Sequence, residues 1–291
     1  MALACYGFDY LDEIRRFVQI RDYTITRIRK LVLRLAHLNR VQSPIINRAR
    51  QDLAWQFPAV ALVRSKRLES SDVPLLWGWL ADERTSSRYD NLYPKTVGLG
   101  ITRTVRYHAK RLCDLQREEK LIELELRDLL SQPVFSKYCQ VFAHFGFGER
   151  LKALLISQIY PFENYLDAEG KPEVKIRKGR KSGKPTKCHL SLRRFQKSLG
   201  VAPSIEASGD IYKAKVVGGS DLCRMGLWLW VFTRIESTRG RLKNQSGQIL
   251  GKELDEKKVN GRPVRLLRAR ICAQAARLLF KELVKELVRS P

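Results

Sequence analysis

The chain has 291 residues and carries 55 Lys and Arg against 30 Asp and Glu, a formal net charge of +25 at pH 7. A hydrophobic content of 44% excludes a disordered basic tail and leaves a folded protein with a large positive field. The partners of such a field are polyanions, namely nucleic acids or anionic membrane surfaces.

A membrane-spanning reading fails on length, because the most apolar uncharged run, Met225–Thr233, is nine residues and a spanning helix needs about 20. The N-terminal residues MALACYGFDYLDEIRR lack the basic-then-apolar layout of a signal peptide. Six scattered cysteines with no C-x-x-C pair, and four histidines without ligand spacing, predict free thiols in a reducing cytoplasm and no zinc site.

In chain order, residues 8–56 read as helix. Ile14, Val18, Ile25, Ile28, Leu31, Val32, Leu35 and Leu38 recur at helical spacing, opposite Arg15, Arg16, Arg21, Arg27, Arg29, Lys30 and Arg34. Ser43-Pro44 predicts a second helix start, with Ile45, Ile46, Ala49 and Leu53 on its apolar face and an end near Phe57-Pro58. Residues 65–110 are less periodic, with an apolar knot at Leu75, Leu76, Trp77, Trp79 and Leu80. A long helix is predicted over 103–131 from Leu112, Leu115, Ile122, Leu126 and Leu129, with Glu119 interrupting a core position. It reads as a helical hairpin arm or a short coiled coil whose alternating charges form a solvated face.

The segment FGFGER places Gly146 and Gly148 between two helical stretches, as in a helix-hairpin-helix. There the glycines let backbone approach a phosphate and the following helix start binds it, although many such turns are simply turns. Residues 167–194 hold Lys175, Arg177, Lys178, Arg180, Lys181, Lys184, Lys187, Arg193 and Arg194 among Gly and Pro, which predicts a mobile basic loop that binds a polyanion. Residues 237–262 read as a polar, Gly-containing stretch. The basic amphipathic helix predicted at 263–289 has Leu267, Ile271, Leu278, Leu279, Leu283 and Leu287 on its apolar face. The expected organisation is mostly α with short β or irregular segments: a basic helical or coiled-coil region (1–131), a central domain (132–236), and a C-terminal stretch with its helix (237–291).

The ordered series FGFGER, LISQIYPF, the basic insert, FQKSLGVAPSIEASG and GGSDLCR resembles the C-terminal serine domain of the insertion sequence 110 family. These are DEDD-plus-serine transposases, some guided by a bridge RNA. The resemblance covers roughly residues 130–236 and extends more weakly over the arginine-rich N-terminal helices.

It implies that Ser208, followed by Gly209, is the nucleophile that attacks a DNA phosphate and forms a covalent intermediate. A serine hydroxyl needs a base or a metal for that task, and the phosphoryl transition state needs cations. Those available nearby are Lys213, Lys215 and Arg224, while Gly209 permits close backbone approach.

The resemblance also implies Mg2+ held by four carboxylates of an N-terminal RuvC-like domain. The sequence departs from that pattern. Only Asp9 and Asp12 have D-x-x-D spacing before the helical region; they read first as ordinary N-terminal helix residues and only second as a remnant of the carboxylate pair. A truncated or split enzyme with a separate RuvC-like half is therefore expected. The implied partners are double-stranded DNA, a structured guide RNA and further copies of the chain, as dimer or tetramer. A non-catalytic nucleic-acid-binding remnant and a ribosome-associated basic protein remain as alternatives.

Overall fold

A computed structural model describes residues 22–68, 70–178, 183–208, 211–215 and 218–288, without the side chains of 204–208 and 211–215. The architecture is mostly α, with two small antiparallel hairpins. No helix among the described residues is long and apolar enough to cross a membrane.

The longest element is α1 (Tyr23–Gln56), capped by Asp22, whose carboxylate accepts from the Thr24 N–H. Its buried face runs Ile25, Ile28, Leu31, Val32, Leu35, Leu38, Gln42, Ile45, Ala49 and Leu53. The second helix start predicted at Pro44 does not occur, because Pro44 lies inside one continuous helix. Proline forfeits one helical hydrogen bond. Here the residue is exposed, the Ser43 hydroxyl donates to the Asn39 carbonyl, and apolar packing on both sides of the break holds the helix together.

After the short α2 (Pro58–Ala61), α3 (Leu75–Leu80) and α4 (Ser87–Leu92), α5 (Arg103–Leu130) runs back along α1. Its direction follows from three cross-links: Arg27–Glu125, Arg34–Glu118 and Gln42–Gln116. The two helices are therefore antiparallel, about 50 Å and 40 Å long. The alternating charges of α5 are not simply solvated. Arg27 and Arg34 each make a two-pronged pair with Glu125 and Glu118, so part of the arginine face of α1 is neutralised within the fold.

Two apolar cores lie along this hairpin. One gathers the C-terminal half of α1 with Phe57, Val60, Leu76, Trp77, Leu80 and the start of α5. The other joins Ile25–Leu38 and Ile122–Leu130 to α6 (Ser136–His144), α7 (Glu149–Ile159), α8 (Leu190–Ser198), α9 (Asp221–Val231), α10 (Gln245–Val259) and α11 (Val264–Val288). It thus draws on all three stretches expected from the sequence. Helix α10 forms within residues expected as a polar stretch, and its Leu250 and Leu254 enter this core.

Glu119 sits where the two cores meet. It is buried and accepts from Gln42 Nε2 and Gln116 Nε2, both at 2.9 Å, and it pairs with Arg150. Arg150 also pairs with Glu123, 2.7 Å from its Nε. The apparent interruption of the apolar stripe is thus a satisfied polar joint between α1, α5 and α7.

Candidate nucleic-acid interface

Of the motif residues, Leu199-Gly200 at the end of α8 and Gly219 with Arg224 at the start of α9 come together. Helix α8 ends in a Schellman arrangement: Gly200, at φ +69°, donates to the Lys197 carbonyl, and Val201 donates to Gln196, both at 3.0 Å. Gly219, at φ +74°, lies directly against this turn, and a Cβ on it would sit 1.9 Å from the Lys197 carbonyl oxygen. The Ser220 N–H donates to the Ser198 carbonyl at 3.0 Å, and the Ser220 hydroxyl caps α9 by accepting from Cys223 N–H. These contacts make a neck of apposed backbones.

From this neck issues a hairpin of β3 (Ser204–Ser208) and β4 (Ile211–Lys215). Its register pairs Ser204 with Lys215, Glu206 with Lys213, and Ser208 with Ile211. Ser208 therefore occupies the far end of β3, about 13 Å along the strand from Ser204. Gly209 lies outside the described residues. Arg224 stands one turn into α9, donates to the Gly200 carbonyl at 3.4 Å and pairs with Asp221. It belongs to the neck rather than to the hairpin tip.

The basic segment expected as a loop is a second hairpin. Strands β1 (Val174–Lys178) and β2 (Pro185–His189) pair antiparallel, Ile176 opposite Lys187 and Arg177 opposite Thr186. Alternating β-branched and basic residues support extended backbone, and Pro185 is tolerated as the first residue of its strand. All ten strand residues are exposed except Cys188. The base is anchored to α8, where Glu173 N–H donates to the buried Ser191 hydroxyl at 2.8 Å and the Glu173 carboxylate pairs with Arg194 at 2.9 Å. Lys175 reaches the same carboxylate at 3.3 Å. Arg180 and Lys181 lie outside the described residues.

Gly146 and Gly148 lie in the turn between α6 and α7. Gly146, at φ +57°, closes α6 by a second Schellman arrangement and faces the Leu242 side chain, where an added Cβ would come within 2.7 Å. Phe145 and Phe147 stack with centroids 5.3 Å apart in the core, and Trp230 Nε1 donates to the Phe145 carbonyl at 2.9 Å. Gly148 begins α7 with no side-chain cap, and Glu149 occupies the first turn, paired with Lys152 at 2.8 Å. The conformation of Gly146 is thus explained by capping and packing. A groove of about 720 Å³ runs past the turn, and of its arginines Arg127 and Arg234 make no ion pair among the described residues. Neither was singled out by sequence reasoning, since nothing local separates them from other exposed arginines.

No group of three or more His, Cys, Asp or Glu among the described residues could hold a metal ion. These residues do not fit the Mg2+ site that the resemblance implies, and Asp9 and Asp12 lie outside them. Burial pushes the thiols of Cys113 and Cys272 up to about 12 and that of Cys223 to about 11, which makes them inert packing groups.

No family model matches the chain, and no curated protein is significantly similar to it.

Proposed function

We propose that the chain is a DNA strand-transfer protein of the serine transposase type that the sequence resembles. It binds double-stranded DNA together with a structured guide RNA and acts as an assembly of several copies. Ser208 displaces a deoxyribose oxygen from a backbone phosphate: the serine O–P bond forms, the P–O bond breaks, and the serine proton ends on the released hydroxyl. Lys213, two residues along the strand from the Ile211 that pairs with Ser208, is the nearer source of positive charge for the phosphate, whereas Lys215 pairs with Ser204 at the neck end of the hairpin. In the resembling family Mg2+ is held by carboxylates of a RuvC-like domain, a cluster not found among the described residues.

One observation carries the reading. Gly200, Gly219 and Arg224 build the neck of the hairpin that bears Ser208, so three of the motif positions meet at its base. The test is denaturing electrophoresis of labelled DNA incubated with the full chain, Mg2+ and a RuvC-like partner. A covalent adduct with the wild type that vanishes in Ser208→Ala is expected. An adduct that persists in the variant removes Ser208 from the chemistry. No adduct together with salt-dependent duplex binding leaves the non-catalytic nucleic-acid-binding reading.

A further inference from the structure

We propose that the β1–β2 hairpin is a DNA-reading arm that enters the major groove of a B-form duplex. The inference rests on the reading above only in taking duplex DNA as the partner. No carboxylate occurs in the sequence from Val174 to His189, whereas the described residues there include Lys175, Arg177, Lys178, Lys184 and Lys187. Arg177, Lys178 and Lys187 make no ion pair among the described residues, and all three are exposed. Among the described residues, Arg177, Lys178 and Lys187 thus leave uncompensated positive charge on the arm, whose base is anchored to α8.

Its shape selects the partner. Two antiparallel strands stand about 4.8 Å apart, and such a ribbon fits the major groove of B-DNA, about 12 Å wide, but not the narrow, deep major groove of A-form RNA. By the register, Ile176 and Lys187 share a face with the Lys178–Pro185 pair. Ile176 is 69% exposed, so its side chain is open to contact a partner. Between two lysines in a major groove, it would meet thymine methyl groups while the lysines reach phosphates or guanine edges. A two-stranded ribbon without a covered face is marginal in water, so docking into a groove stabilises the arm as well as the complex.

The experiment is fluorescence anisotropy of the full chain with a 20-base-pair DNA duplex, the same-sequence RNA duplex and single-stranded DNA, over a salt series, together with dimethyl sulfate footprinting of guanine N7. The wild type is expected to prefer duplex DNA over both other probes and to protect N7 positions in the major groove. In the variant Arg177→Gln/Lys178→Gln/Lys187→Gln, protection disappears, affinity near 0.1 M salt falls tenfold or more, and the salt slope shrinks by up to about 2.7 as three phosphate contacts are lost. An unchanged slope and footprint in the variant overturns the proposal, as does wild-type binding to the RNA duplex as tight as to DNA. The Ser208→Ala protein should keep footprint and slope, so failure of the arm and failure of the serine chemistry are read separately.

Discussion

Gly219 and Gly200 touch backbone to backbone: a Cβ on Gly219 would fall 2.6 Å from the Gly200 Cα, and both residues hold positive φ. The neck of the Ser208 hairpin depends on this contact, because it brings the end of α8 and the start of α9 close enough for Ser220 N–H to reach the Ser198 carbonyl.

Gly219→Ala should therefore destabilise the protein by roughly 3 kcal/mol, combining backbone strain with steric overlap. Its neighbour Gly218 has φ +81° but open space around it, so Gly218→Ala should cost only about 1 kcal/mol. Urea denaturation of both variants checks the contrast. Equal losses would show that φ alone, and not the close approach, makes glycine necessary at 219.

Glu119 is the acceptor for two glutamine amides and Arg150 at the joint of the two cores. Glu119→Gln places an amide N–H₂ where donors already converge and leaves Arg150 with only Glu123. A loss of about 2 kcal/mol is expected, below the cost of breaking a wholly buried pair because the Arg150 side chain is 42% exposed. The double variant with Gln42→Leu should lose less than the sum of the single changes, since Gln42 no longer presents an unpaired donor. Strict additivity in chemical denaturation would refute the joint as a coupled unit.

The Glu236 carboxyl is held below the usual range, chiefly by its hydrogen bond from Arg268 and further by one from Lys258. Its folded value lies below its unfolded value, so the stabilisation is complete above the unfolded value near 4.5 and drains away as pH falls through the folded value. Glu236→Gln should lower the melting temperature at pH 7, with the gap to wild type narrowing steadily below about pH 4. A pH-independent gap would mean that Glu236 contributes by packing and not by its charge. Arg268 also lies 4.7 Å from the ring centroids of both Trp228 and Phe232, so the same arginine fastens α11 to α9 and to the turn after it.

The helices were legible wherever apolar spacing was long and regular. Ile25, Ile28, Leu31, Val32, Leu35 and Leu38 are all buried as their period requires, and α5 and α11 begin and end within a residue of expectation. Pro44 misled because a local rule about helix starts was overridden by packing on either side of it. The basic insert read as a loop because its Gly, Pro and charges obscure a short two-residue period, and strand pairing is a contact between residues about ten apart that no local window contains.

Composition and periodicity by themselves thus determined a mostly helical protein with a strongly positive surface, since burial of an apolar face and net charge are sums over single residues. Tertiary structure alone decided how that charge is spent. Arg27, Arg34 and Arg150 pair with the carboxylates of α5, and Arg224 with Asp221 at the neck, whereas Arg177, Lys178 and Lys187 make no ion pair among the described residues and lie on an exposed arm. It also decided that Gly200 and Gly219 meet and lift Ser208 on a hairpin. Ion pairing and backbone apposition are properties of pairs distant in the chain, and only the folded geometry brings those pairs within reach.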